Sequence, residues 1–331
     1  MKRITLKACA KINLGLAVLG RRLDGYHELR TVFQTIALAD RLEVRLSTRG
    51  CGVGLEATGL EIPSGRRNLA ALAAEAALEE LKLRATVSVL LDKRIPPGSG
   101  LGGASSDAAT VLRAVLLLSG RTLPQDRLLR LAAELGSDVP FFLYGGTALG
   151  LGRGEEVYLL PDEPRRHCVV FFPGQGMDTS EAYRGLRRPT LTPLAASPTI
   201  DSVEKLDWLE KVAVFCGAVN DRGRESSAGE AASASRGSGV AYAELANDFE
   251  PLVFRRLPGL ADVKETLQRA GADKASLSGS GSAVYGLFRD AAAARRAALQ
   301  LRSRGKQVLL TRTVSRREFE AQWREPAAAS K

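Results

Sequence analysis

Apolar and polar residues alternate from Arg3 to Leu19, with Ile4, Leu6 and Ala8 and then Ile12, Leu14, Leu16 and Val18 on one side, before Gly20 interrupts the run. A period of two predicts one or two β-strands there, and Leu42 to Leu46 repeats the pattern. Asn68 then precedes an alanine-rich run, Leu69 to Lys82. Its side-chain oxygen can accept from a free amide of the first turn, so a capped helix is expected. Thr86 to Leu91 is rich in β-branched residues and reads as a strand. A glycine-rich stretch, Gly98 to Gly103, separates it from Ala108 to Leu118, which has helical composition. Another helix, Gln125 to Leu135, begins after Pro124 and stops at Gly136, expected as a C′ glycine.

Glycines punctuate the chain from Gly145 to Gly154, and a polar turn follows at Pro161 to Arg166. The domain boundary is placed in that turn, giving residues 1–163 and 164–331. The second half opens on an apolar strand, Cys168 to Phe172. Later come a helix at Val263 to Ala270, a small-residue loop at Ser276 to Ser282 and a strand at Ala283 to Phe288. Between Ser226 and Gly239, 12 of 14 residues are Ser, Ala or Gly. Such a segment has little to bury, so a flexible insertion is expected near residues 221–240. No repeat of 20 to 50 residues is visible.

Composition changes this picture mainly by exclusion. The 331 residues are 45% hydrophobic and 25% charged, which is ordinary for a globular chain and ample for two buried cores. The longest stretches without a charged residue are 14 residues, Val139 to Gly152 and Ala275 to Phe288. A membrane helix needs roughly 20 apolar residues, so no membrane partner is expected. Lys7 and Lys11 interrupt the N-terminus before a signal-like apolar core can form, so a cytoplasmic protein is expected. Four cysteines (Cys9, Cys51, Cys168, Cys216) lie far apart and only two histidines are present, which disfavours disulfides and structural zinc. The net charge of +10 suits nucleic acid or a small anion equally. With 5% aromatic residues and no Lys/Arg run longer than two, nucleic acid is disfavoured.

The glycine stretch satisfies G-x-G-x-x-G, a spacing shared by several folds. A dinucleotide-binding turn would follow its strand directly, whereas Lys93 to Pro97 intervenes. A P-loop would end in G-K-[ST], a protein kinase would carry H-R-D and D-F-G, and a hydrolase elbow would read G-x-S-x-G; all are absent. What remains is a Cβ-poor loop entering a helix through Ser105, Ser106 and Asp107. Its amides and the helix N-terminus suit a polyphosphate. The bland alternative is a flexible turn with Ser105 as a helix cap.

The segment Pro96-Pro97-Gly98-Ser99-Gly100-Leu101-Gly102-Gly103-Ala104-Ser105-Ser106 resembles the phosphate loop of the GHMP small-molecule kinases. Ala10-Lys11-Ile12-Asn13-Leu14 and Ser278-Gly279-Ser280-Gly281-Ser282 agree with that family in order and spacing. Asp24-Gly25-Tyr26-His27, Phe33-Gln34 and Gly136-Ser137-Asp138-Val139-Pro140-Phe141-Phe142 are similar to the branch whose alcohol carries a cytidine diphosphate. The resemblance runs from about Lys7 to Phe288. Departures are the Ser/Ala/Gly insertion, Ser137 where Ala is common, and weak similarity from Thr179 to Val240.

The resemblance implies an α+β fold, with a ribosomal protein S5 domain 2-like N-terminal domain, a ferredoxin-like C-terminal domain, and the site between them. It implies ATP, with Mg2+, phosphorylating the 2-hydroxyl of 4-diphosphocytidyl-2-C-methyl-D-erythritol, and no obligate protein partner. Asp138 is then the base and Lys11 the cation beside it, where geometry alone would also allow a helix cap and a snorkelling lysine. Asn13 would orient the hydroxyl. Tyr26, His27 and Phe33, equally readable as core packing, would hold cytosine, with Tyr183 closing the sandwich. Asn68 would lie near adenine and Lys93 would reach the nucleotide. Gly279, Ser280 and Gly281 would approach the diphosphate, unless they are a plain turn. Ser105 and Ser106 are the hydroxyls nearest any metal, whose ligands stay unassigned. A homoserine, mevalonate or sugar kinase, or a basic RNA-binding protein, are the competing readings.

Overall fold

A computed structural model describes residues 1–62, 68–191, 245–302 and 307–324. The expected insertion at 221–240 and Cys216 lie outside the described residues. The first alternating run forms one strand, β1 (Lys2–Arg21), and Leu42 to Leu46 lies within a second, β2 (His27–Ser47). The two pair antiparallel along their length, with register shifts between Cys9 and Lys11, Asn13 and Gly15, and Val18 and Gly20. Such irregularities free backbone groups and re-aim side chains, a common arrangement beside active sites.

The other edge of β2 is shared: Arg41 to Ser47 pair with β4 (Thr86–Lys93), and Thr31 to Gln34 with β5 (Thr147–Leu151). Beyond these lie β3 (Gly52–Gly59), parallel to β4, and β6 (Glu156–Leu159). Helices α1 (Leu69–Glu80), α2 (Gly103–Ser119) and α3 (Gln125–Leu135), with the single turn α4 (Phe141–Tyr144), cover this sheet. Asn68 caps α1 as expected, accepting from the amide of Ala70 at 2.9 Å. Gly136 ends α3 in an extended conformation, φ 168°, rather than the left-handed one expected of a C′ glycine. The chain leaves α3 directly towards Asp138.

The second sheet has the order β10-β7-β9-β8, from β7 (His167–Phe172), β8 (Lys274–Leu277), β9 (Val284–Phe288) and β10 (Gln307–Arg312). All its neighbours are antiparallel. With α7 (Gly259–Arg269) before β8 and α8 (Ala291–Arg302) before β10, this is the ferredoxin-like order. Among the described residues, two shorter helices, α5 (Thr179–Gly185) and α6 (Glu250–Arg256), lie between β7 and α7. The last helix among the described residues, α9 (Arg316–Arg324), returns to the first sheet, where Phe319 packs with Cys9 and Val314. A division at residue 163 therefore leaves out one exchange, because the apolar face of α9 is buried on the first half.

A third buried cluster joins the halves. Ile12, Leu14 and Ile36 of the first sheet pack with Val170, Tyr285 and Leu287 of the second. The middle of β1 is thus buried on both faces, and its polar residues Lys11 and Asn13 are enclosed. Among the described residues no helix is long and apolar enough to cross a membrane.

Candidate active site

The glycine-rich stretch bridges the two halves. Gly98, Gly100 and Gly102 all have positive φ (67°, 78° and 71°), conformations that side chains disfavour and that curl successive amides towards one point. Its carbonyls point the other way, each to a different donor. Met177 N–H donates to Gly98, Ala283 N–H to Ser99, the Ser278 hydroxyl to Gly100 and Lys11 N–H to Leu101, at 2.9–3.0 Å. The amides of Gly98 to Gly102 have no protein acceptor among the described residues. Gly102 is also the N-cap of the 17-residue α2 and offers no side-chain cap, so the helix dipole adds to the same concavity. Ser105, three residues inside, is not the cap.

This concavity opens into a cavity of about 1040 Å³ between the halves. That is the upper end of the roughly 300–1000 Å³ of ordinary ligand sites. Its walls include Lys11, Asn13, Tyr26, His27, Phe33, Asn68, Lys93, Pro96 to Ser105, Asp138, Tyr183, Gly279 and Ser280. Ser106 and Gly281 are not among them. The Ser106 hydroxyl is buried and donates to the Cys9 carbonyl at 2.6 Å. Gly281 closes the small-residue turn, its N–H donating to Ser278 O, and packs towards Leu277 and Val253.

Lys11 and Asn13 share a face of β1, as strand alternation requires, and the Lys11 ammonium donates to Asn13 Oδ1 at 2.7 Å. Asn13 in turn donates to Thr31 Oγ1 at 2.7 Å. The Lys11 ammonium also lies 3.5 Å from Asp138 Oδ2, with the lysine buried and the aspartate side chain 30% exposed. A cation fixed by strand packing thus faces a carboxylate that a ligand can reach. Asp138 caps no helix, since α4 begins at Phe141 with Pro140 as its N-cap.

Lys93 departs from expectation. It borders the cavity, but its ammonium is turned beneath the loop, 2.5 Å from Asp40 and 2.6 Å from Asp107, with all three side chains buried. Asp40 Oδ1 also accepts the amides of Arg94 and Ile95, so the triad ties the two ends of the loop together. Burial, reinforced by the charge of Asp40 and opposed by Lys93, pushes the Asp107 carboxyl well above the usual carboxylate range.

The aromatic residues divide. Phe33 is 1% exposed and packs on Phe141, ring centroids 4.8 Å apart, so it belongs to the core as well as bordering the cavity. His27 and Tyr183 meet across the two halves at 4.9 Å. Burial, and then the charge of Asp138, raises the Tyr183 phenol above its usual range. Tyr26 is half exposed, with the Arg153 guanidinium 4.6 Å from its ring centroid.

Sequence reasoning missed Asp40, Thr31 and Asn247. Asn247 is buried and donates to the carbonyls of Leu277 and Gly279, fixing the turn that meets the glycine loop. No sequence signal marks any of the three. The arginines of the cavity rim were also missed, although Arg184, Arg187 and Arg188 directly follow Tyr183. Among the described residues, no group of three or more His, Cys, Asp or Glu is placed to hold a metal.

A polyphosphate cradle and a reachable lysine–carboxylate pair between two such domains define a small-molecule kinase. The family model for the GHMP kinases N terminal domain matches residues 68–146, and that for the GHMP kinases C terminal matches residues 220–307; the chain belongs to the GHMP kinases. A 4-diphosphocytidyl-2-C-methyl-D-erythritol kinase of Solibacter usitatus is 43% identical over 322 residues, covering 96% of this chain and 91% of that protein. One from Moorella thermoacetica is 40% identical and covers 95% of this chain and 100% of its own. Within the GHMP kinases, the chain is a member of the family these relatives share. The crystal structure of a 4-(cytidine 5'-diphospho)-2C-methyl-D-erythritol kinase superposes with a TM-score of 0.69 at 36% identity, covering 93% of this chain and 98% of that one. A homoserine kinase from Cytophaga hutchinsonii, at 21% identity and TM-score 0.66 over 95% of both chains, shares the fold.

Proposed function

We propose that the protein transfers the γ-phosphoryl group of ATP to the 2-hydroxyl of 4-diphosphocytidyl-2-C-methyl-D-erythritol, releasing ADP and the 2-phosphate in non-mevalonate isoprenoid precursor biosynthesis. One observation carries this reading: the unpartnered amides of Gly98 to Gly102 open beside the Lys11–Asp138 pair. The first feature suits a polyphosphate and the second an alcohol losing its proton. The names of the relatives support the particular alcohol.

In this mechanism the loop amides and the N-terminus of α2 hold the polyphosphate and take up charge on the transferring group. Asp138 accepts the hydroxyl proton as the oxygen attacks phosphorus, and the bond to the bridging oxygen of ADP breaks. The Lys11 ammonium lowers the cost of the developing alkoxide, and Asn13, tied to both Lys11 and Thr31, orients the acceptor. Tyr26, His27 and Tyr183 supply rings for the cytosine.

Mg2+ fits the donor chemistry, because hard oxygen ligands border the loop and such an ion is usually held by phosphates, waters and few protein groups. Ser105 would be the hydroxyl available to hold it, since it has no protein partner among the described residues while that of Ser106 is engaged. The ion would neutralise phosphate charge when bound. The enzyme would act in the cytoplasm on a small-molecule substrate.

The test is ATP consumption against the cytidine diphosphate substrate, mevalonate, homoserine and galactose. Turnover confined to the first is expected. Turnover confined to any of the others would overturn the substrate and leave the kinase class standing.

A further inference from the structure

Among the described residues, five arginines and two lysines line the cavity against two carboxylates, Asp107 and Asp138, and most of these cations are already engaged. Lys93 lies between Asp40 and Asp107, and Lys11 faces Asp138. Arg188 reaches Asp248 at 2.6 Å, Arg153 pairs with Glu155 and covers the Tyr26 ring, and Arg184 Nε turns back to the carbonyl of Ser180. Arg21 and Arg187 remain. Both are exposed, and neither has a carboxylate partner among the described residues.

Their placement is built rather than incidental. Arg21 ends β1 on the first half and Arg187 follows α5 on the second, and the backbone of Arg21 is strapped to the segment just after Arg187. Arg21 N–H donates to Pro189 O at 2.8 Å, and Leu191 N–H donates to Arg21 O at 2.7 Å. Gly20 makes this approach possible, because a Cβ there would strike the Leu191 side chain. Arg187 itself has φ 50°, one of two non-glycine residues with positive φ among the described residues. A side chain held in that region is commonly found where function constrains the backbone. The two also flank the aromatic pair: Arg21 pairs with His27 across the hairpin, and Tyr183 lies four residues before Arg187.

We propose that Arg21 and Arg187, one from each half of the molecule, clamp the diphosphate of the cytidine-bearing substrate beside the His27–Tyr183 rings. This rests on the reading of the cavity as a cytidine diphosphate site. Guanidinium groups suit the role because their planar donor fork matches phosphate oxygens two at a time. The clamp selects substrates bearing a phosphate chain next to the base, which an alcohol such as homoserine lacks.

Calorimetry with cytidine and cytidine diphosphate, without ATP, tests it. The wild-type protein should bind cytidine diphosphate at least about tenfold more tightly than cytidine, as charge-assisted hydrogen bonds imply. Added salt should erode that preference and spare cytidine binding. Arg21→Gln and Arg187→Gln should each shrink the preference, whereas Arg22→Gln should keep it, because Arg22 is spent on Asp24 and Glu28. A preference unchanged in both variants, or one insensitive to salt, would overturn the clamp and leave the kinase reading standing. Failure of the wild-type protein to bind either compound would overturn both.

Discussion

The Ser278 hydroxyl donates to the carbonyl of Gly100 at 2.9 Å, so the turn of one domain rests on the phosphate loop of the other. The contact is close enough that a Cβ on Gly100 would collide with the backbone carbonyl of Ser278, and one on Gly279 would lie 3.1 Å from Gly100 O and 3.4 Å from the Lys11 ammonium. Loop, turn and lysine are therefore positioned together.

Gly100→Ala should separate these elements. The substitution adds both a steric conflict with backbone and a side chain at φ 78°. A loss of about 2–4 kcal/mol in urea unfolding is expected, with weakened ATP binding. Substitution of Gly102 or Gly103 also disturbs the fold, because their Cβ atoms would press on Phe142 and Lys11, and on Ile95 and Lys93. Unchanged unfolding of Gly100→Ala would show that the loop and turn are not tightly coupled.

Asp138→Asn and Lys11→Met remove the reacting charges at little steric change. With both substrates saturating, kcat should fall by roughly 10² to 10⁴ in each. The double variant should be little worse than either, since a pair acting as a unit is not additive. A near-normal rate in Asp138→Asn would remove the base from the mechanism.

Phe33 and Tyr26 should separate stability from recognition. Phe33→Ala empties a buried site against Phe141 and should cost about 3–5 kcal/mol of stability. Tyr26→Ala touches an exposed ring and should leave unfolding almost unchanged while weakening cytidine binding by about 1–3 kcal/mol. The reverse result would assign the stacking role to Phe33.

His27 provides a pH signature. Burial, and secondarily the charge of Arg21, hold its imidazole below the ordinary value of 6.5. As pH falls through that value, the unfolded chain takes up the proton first. Stability should therefore decline with falling pH until the folded His27 also titrates, and level off below that. His27→Gln should flatten this part of the profile in thermal denaturation. Nuclear magnetic resonance titration should place His27 below 6.5 and move it upward in Arg21→Gln; no movement would separate the two groups.

Much of the chain is legible because its signals are local. Strand alternation in β1, the Asn68 cap, the α3 boundaries and the Cβ-poor entry to α2 each follow from residues within a few positions of one another. The phosphate loop and the facing of Lys11 with Asn13 belong to the same level, since backbone freedom and strand geometry need no distant partner. Other features depend on contacts made only when the chain closes. Lys93 carries no mark in sequence of the buried Asp40 and Asp107 that turn it under the loop, and Phe33 none of Phe141. The pairing of Lys11 with Asp138, of His27 with Tyr183 and of Arg21 with the segment Pro189 to Leu191 joins residues more than a hundred positions apart. Local propensity places each side chain on its own element, but burial and charge pairing between elements decide which groups face the ligand and which are consumed in holding the site together.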